Sequence, residues 1–155
     1  RLKVNSFRRP GYVFKGWNTQ KNGKGAAYED KKAVKNLTSS QGKAISLYAQ
    51  WRKVKKPGGV KTFTVKSKKA KVCSVTIANV KTSDGYQIQY AANKSFKKAR
   101  SVYTAGQSGK RTVKNLKGLK RKKTYYVRVR AFARDSAGKR YYAPKFSGAK
   151  KVKIR

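Results

Sequence analysis

The chain has 155 residues, of which 43 are Lys or Arg and only 4 are Asp or Glu, giving a formal net charge of +39. It has no His, and its acids (Glu29, Asp30, Asp84, Asp135) are scattered, so general acid–base catalysis and metal or cofactor binding have little to build on. Such a chain is drawn to polyanions, and its self-repulsion opposes the compact state.

Ten Tyr, six Phe and two Trp argue against a disordered basic tail. Helical periodicity is weak and strand-like alternation is clear, which predicts folded, mainly β domains with a cationic exterior. The chain opens at Arg1 without an initiator Met, and we expect a piece of a longer protein. No apolar run approaches the ~20 residues that cross a bilayer as a helix.

Residues 1–54 form the first predicted domain. In an extended segment Tyr12 and Phe14 share one face, with Gly11 and Gly16 permitting tight bends beside their rings. Trp17 and Trp51 are expected to close a small aromatic core. The functional alternative is a carbohydrate-stacking platform of Trp17, Tyr28 or Trp51. Glu29 and Asp30 are expected to pair locally with Lys31 and Lys32. Two motifs carry a family likeness: Gly11-Tyr12, Phe14 and Gly16-Trp17, then the closing Leu47-Tyr48-Ala49-Gln50-Trp51. Together they resemble the Listeria–Bacteroides repeat, the internalin B-repeat-like module of bacterial surface proteins. The resemblance implies a β-grasp-like unit, here N-terminally truncated to the last two-thirds of a repeat. Either the missing strand lies upstream in the full protein, or the unit has an unpaired edge that invites strand addition.

Residues 55–60 read as a solvated linker, with Pro57, Gly58 and Gly59 beside Lys55 and Lys56. Strands are predicted at 60–66, 72–78, 85–90, 99–104, 111–116, 125–131, 140–146 and 149–155. Cys73 is the sole cysteine, so no intrachain disulfide forms. It alternates with Val75 and Ile77, which reads as a buried thiol without an activating neighbour. Gly106–Thr112 faintly suggests a phosphate loop but lacks its Ser or Thr and its first Gly, and a hairpin turn is expected. Arg134–Gly138 is expected to be a solvated hairpin turn.

Strands of this number and spacing suggest a sandwich. Gly85-Tyr86-Gln87-Ile88-Gln89-Tyr90, the Leu119–Ala131 stretch and Phe146-Ser147 resemble a bacterial fibronectin type III domain over residues 61–155. The resemblance places Tyr125 at a tyrosine corner, its hydroxyl bonding upstream backbone. It also gathers Gln87, Gln89, Tyr126, Arg128, Arg130, Lys151 and Lys153 on one outward sheet face, ending at Lys120, Arg121, Lys122 and Lys123. This is the candidate polyanion surface, for teichoic acid or another anionic cell-wall polymer, nucleic acid, sulfated glycans or anionic lipid headgroups. Both resemblances imply a non-catalytic, extracellular or wall-associated module of a Gram-positive bacterial protein. It would act as a spacer or an adhesive domain for a host or neighbouring surface protein, or as an accessory domain of a secreted enzyme.

Overall fold

The computed structural model describes all residues from Arg1 to Arg155, in eleven β-strands and no helix. The chain divides into two compact units: residues 1–54 with 134–139, and residues 55–133 with 140–155.

Unit 1 is a three-stranded sheet. Its strands are β1 (Tyr12–Asn18), β2 (Ala27–Tyr28) and β3 (Tyr48–Lys53), in the order β2-β1-β3. Phe14 lies opposite Trp51 and Trp17 opposite Ala49, with a bulge between Phe14 and Gly16. The extra residue returns Trp17 to the face that carries Phe14. Gly16 makes this possible: its φ is +138° and a Cβ there would lie 2.6 Å from the Tyr28 carbonyl oxygen. Phe14 then packs edge-on against Trp17 at 5.2 Å and Trp51 at 5.5 Å.

The expected closed core is absent, because all three rings are only half-buried. No hydrophobic side chain of residues 1–54 is fully buried. Three strands present too little sheet to enclose such large rings from both sides. Hydrogen bonding supplies much of the order instead. Buried Asn18 donates to Gly23 O (3.1 Å) and Gly25 O (2.9 Å) and accepts from the N–H groups of Gln20 (2.8 Å) and Gly25 (3.0 Å). Asp30 accepts from the Asn5 N–H at 3.0 Å, a backbone role in place of the expected ion pairing.

Asp135 also departs from expectation. It is 6% exposed and accepts from the N–H groups of Gly11 (2.8 Å), Ala137 (2.9 Å) and Lys139 (2.9 Å). The turn itself is exposed at Arg134, Ala137 and Gly138, as expected, and only Asp135 within it is withdrawn from solvent. A short carboxylate aimed at several amide donors is held far more firmly than turn composition suggests.

Unit 2 is a two-sheet sandwich. One sheet contains β4 (Phe63–Lys66), β5 (Cys73–Ile77) and β8 (Thr112–Leu116), in the order β4-β5-β8. The other contains β6 (Gly85–Ala91), β7 (Arg100–Ala105), β9 (Thr124–Arg134), β10 (Arg140–Tyr142) and β11 (Lys150–Lys153). Its order is β10-β9-β6-β7, with β11 also paired to β9. Alternate residues meet between the sheets: Phe63, Cys73, Val75 and Ile77 from one, Tyr86, Ile88, Val127, Val129 and Ala131 from the other. Burying one such large apolar side chain stabilises by roughly 1.5–3 kcal/mol. The tyrosine corner forms, with Tyr125 Oη accepting from the Lys120 N–H at 3.2 Å. Cys73 is fully buried, and burial pushes its thiol up to about 11.

Three further expectations change. Residues 106–111 do not close a hairpin, because β7 and β8 belong to different sheets. They form a crossover, with a turn closed by Lys110 N–H to Gln107 O at 3.2 Å. The supposed linker is partly buried, with Pro57 enclosed and Val60 joining the core. The strand expected over 140–146 stops at Tyr142, two residues before Pro144, which has no N–H for a ladder. Ser147 resumes the pairing, donating its N–H to Val129 O (2.8 Å) and accepting the Val129 N–H on Oγ (2.9 Å).

Several residues adopt the left-handed backbone region without being glycine. Among them are Lys31 (φ 61°), Lys71 (58°), Lys98 (51°) and Lys122 (58°).

Candidate polyanion surface

The sequence-predicted residues lie on the outer face of the five-stranded sheet or at its end. Register pairs Gln87 with Arg130 and Gln89 with Arg128 between β6 and β9. On the other side of β9, Lys151 lies opposite Tyr126 and Lys153 opposite Thr124. Lys120, Arg121, Lys122 and Lys123 are all exposed in the corner that leads into β9. Lys122 donates its N–H to Ile154 O (2.8 Å), and Ile154 donates back to Lys123 O (2.9 Å).

The arginines and lysines of this surface occupy different chemical situations. Arg128 donates from Nε (2.9 Å) and Nη2 (2.7 Å) to Gln89 Oε1. Its guanidinium lies 4.1 Å from the Phe96 ring centre and 4.4 Å from that of Phe146. Arg130 donates from Nε to Gln87 Oε1 at 2.7 Å and lies 4.0 Å from Tyr142 and 4.5 Å from Phe146. Gln87 is itself 5% exposed and donates to Ser101 Oγ at 3.1 Å, so the amide expected to face solvent is a buried anchor. Arg140 continues the row, 4.4 Å from the Tyr103 ring. Tyr103 and Tyr142 share a hydroxyl–hydroxyl hydrogen bond of 3.5 Å, which raises the Tyr103 pKa above its ordinary value.

Cations and rings thus alternate along the face: Phe96, Arg128, Phe146, Arg130, Tyr142. Each guanidinium–ring contact is worth about 0.5–2 kcal/mol. This geometry gives the two arginines a packing role. Lys151, Lys153 and the corner residues have exposed heads and present them to solvent. Sequence reasoning missed Phe96, Tyr103, Arg140 and Tyr142. The signal that could have found the row was an outward Gln facing an outward Arg twice in succession, a pairing that suits one amide oxygen to one guanidinium.

No three His, Cys, Asp or Glu side chains come together as potential metal ligands. No helix is long and apolar enough to cross a membrane.

No protein-family profile matches the chain, and no curated protein matches it either. Solved structures do. The FN1–FN3 domains of chicken CNTN1 align with TM-score 0.51 and 26% identity, covering 71% of this chain and 35% of that one. This chain therefore spans about a third of the CNTN1 structure. A myokine structure aligns with TM-score 0.48 and 20% identity, covering 63% of this chain and 97% of that one. With the strand order β4-β5-β8 facing β10-β9-β6-β7 and a formed tyrosine corner, unit 2 has a fibronectin type III-like β-sandwich fold.

Proposed function

We propose that the chain is a non-catalytic module of a bacterial cell-surface or secreted protein, working outside the cell or within the cell wall. Its domains act as spacers and as adhesive surfaces toward neighbouring or host proteins. One observation carries this reading: a fibronectin type III-like sandwich presents a surface charged almost entirely with one sign. The likeness of Gly11–Trp17 and Leu47–Trp51 to the Listeria–Bacteroides repeat supports it. A place beside the catalytic part of a larger secreted enzyme is compatible with the same chemistry.

A second reading rests on the exposed cations at one end of the sandwich: the module binds anionic polymer with low specificity. Releasing counterions from such a polymer makes affinity fall steeply with salt. Retention on immobilised wall polymer and on DNA, measured across a salt gradient, tests it. Binding that collapses between low and above-physiological salt is expected, and absence of retention at low salt overturns it. The non-catalytic reading is tested with peptide, glycan and phosphate-ester substrates. Turnover at the buffer rate is expected, and turnover above it refutes the assignment.

A further inference from the structure

We propose that a cleft at the lysine-rich end of unit 2 is an anion subsite that receives one phosphate of a linear phosphodiester polymer. This rests on the polyanion reading above and gives it a place. The cleft has a volume of about 220 Å³ and is lined by Tyr90, Lys98, Arg100, Leu119, Lys120 and Tyr125, among others. Three of these side chains are cationic and none is acidic. Lys98, Arg100 and Lys120 are exposed, whereas Leu119 is buried and the two tyrosines are half-buried. The volume falls below the ~300–1,000 Å³ of typical small-molecule sites, and suits a phosphate with part of its neighbouring alcohol.

The cleft is braced by its own backbone. Tyr125 Oη takes the Lys120 N–H at 3.2 Å, and the Leu119 N–H donates to Lys71 O at 3.1 Å. The Tyr90 and Tyr125 rings lie 6.4 Å apart. On the far side, Asn93 fixes the turn before Lys98, accepting the Lys97 N–H (2.9 Å) and donating to Lys97 O (3.0 Å). These bonds fix the backbone positions from which the cationic side chains project, which reduces the freedom lost on binding.

The same end of the sandwich extends the cationic track, which favours a polymer over a free ion. The Lys71 N–H donates to Arg155 O at 3.0 Å, the Arg155 N–H to Ser67 Oγ at 3.1 Å, and the Lys122 N–H to Ile154 O at 2.8 Å. These bonds hold three chain segments together, and with them Lys71, Lys122 and Arg155, all exposed. Lysines dominate, and an ammonium engages phosphate as a point charge that tolerates many approach angles. The aromatic side chains of the cleft are two half-buried tyrosines, one with its hydroxyl already engaged. The arginine row is a poorer candidate, since Gln87, Gln89 and the neighbouring rings already occupy its guanidinium groups.

The test uses poly(glycerol phosphate) as the probe and the full chain as the protein. The triple variant K98Q/R100Q/K120Q is compared with K31Q/K32Q/K35Q, which removes equal charge from unit 1. We expect the first to weaken binding at least tenfold and to lower the log–log salt slope by about 1, the share of one phosphate, and the second to do far less. Equal losses would overturn the subsite while leaving bulk polyanion binding intact. Wild-type chain that fails to bind the probe even at low salt would overturn the polyanion reading itself. Heparin binding that depends on the three residues more strongly than the phosphate polymer does would overturn the phosphate assignment. Backbone amide shifts on adding inorganic phosphate give a check that needs no variant. Shifts centred on Lys98, Arg100 and Lys120 support the cleft, and shifts centred elsewhere refute it.

Discussion

Both units carry a large excess of cations, and they hold themselves together differently. Unit 2 encloses Ile77, Tyr86, Ile88, Val127 and Val129 completely between two sheets. Unit 1 encloses no large apolar side chain, and its order rests on a bulge, on one buried asparagine and on Asp135. A double-layered fold can tolerate a crowded cationic exterior because apolar burial offsets the repulsion. A single-layered sheet must rely on backbone fit and directed hydrogen bonds.

The largest expected effect sharpens that contrast. Ile88→Ala should cost unit 2 about 3 kcal/mol, since it leaves a cavity that two packed sheets cannot close. Phe14→Ala should cost unit 1 only about 1–2 kcal/mol, because its ring is half-buried and loses mainly edge-on contacts. Denaturant titration followed by hydrogen exchange on β6 and on β1 would measure both. Equal losses would break the comparison.

Backbone fit should matter more in unit 1 than its apolar burial does. Gly16→Ala must displace the Tyr28 carbonyl or abandon a φ of +138°. We expect about 2 kcal/mol of destabilisation, seen as faster exchange of the β1 and β3 amides. A loss near zero would mean that the bulge is not what aligns Trp17 with Phe14.

The smallest effect is a pH dependence confined to unit 2. Burial raises the Cys73 pKa from 9.0 to about 11, which favours the neutral thiol in the folded chain. Its contribution to stability is fully present below pH 9.0 and is lost as pH rises towards about 11. Iodoacetamide at pH 8 should leave the native chain unmodified and alkylate the unfolded one. Rapid labelling of native protein would show that the core opens far more readily than its packing implies.

Much of unit 2 was legible in its sequence. Alternation in Cys73–Ile77, Gly85–Tyr90 and Tyr125–Ala131 marked strands whose inward residues are the observed core. Tyr125 announced its corner. What the sequence hid depends on tertiary partners. Gln87 and Asp135 look like solvent-facing polar residues until an arginine and several amide groups converge on them. Residues 106–111 have hairpin composition, yet the next strand crosses to the opposite sheet, which turn chemistry alone cannot report. The candidate surface was legible as a list of residues. Its division into ring-packed arginines and solvent-facing lysines was not, because it rests on Phe96, Tyr142 and Phe146 arriving from separate loops and strands.

The left-handed lysines have a consequence for how this molecule balances robustness against charge. At Lys71 and Lys122 the backbone would accept Gly or Asn with roughly 1 kcal/mol less strain. Both positions nevertheless carry exposed lysines. Replacing the two with glycine should therefore yield a sturdier chain and, on the polyanion reading proposed above, one that binds anionic polymer less well.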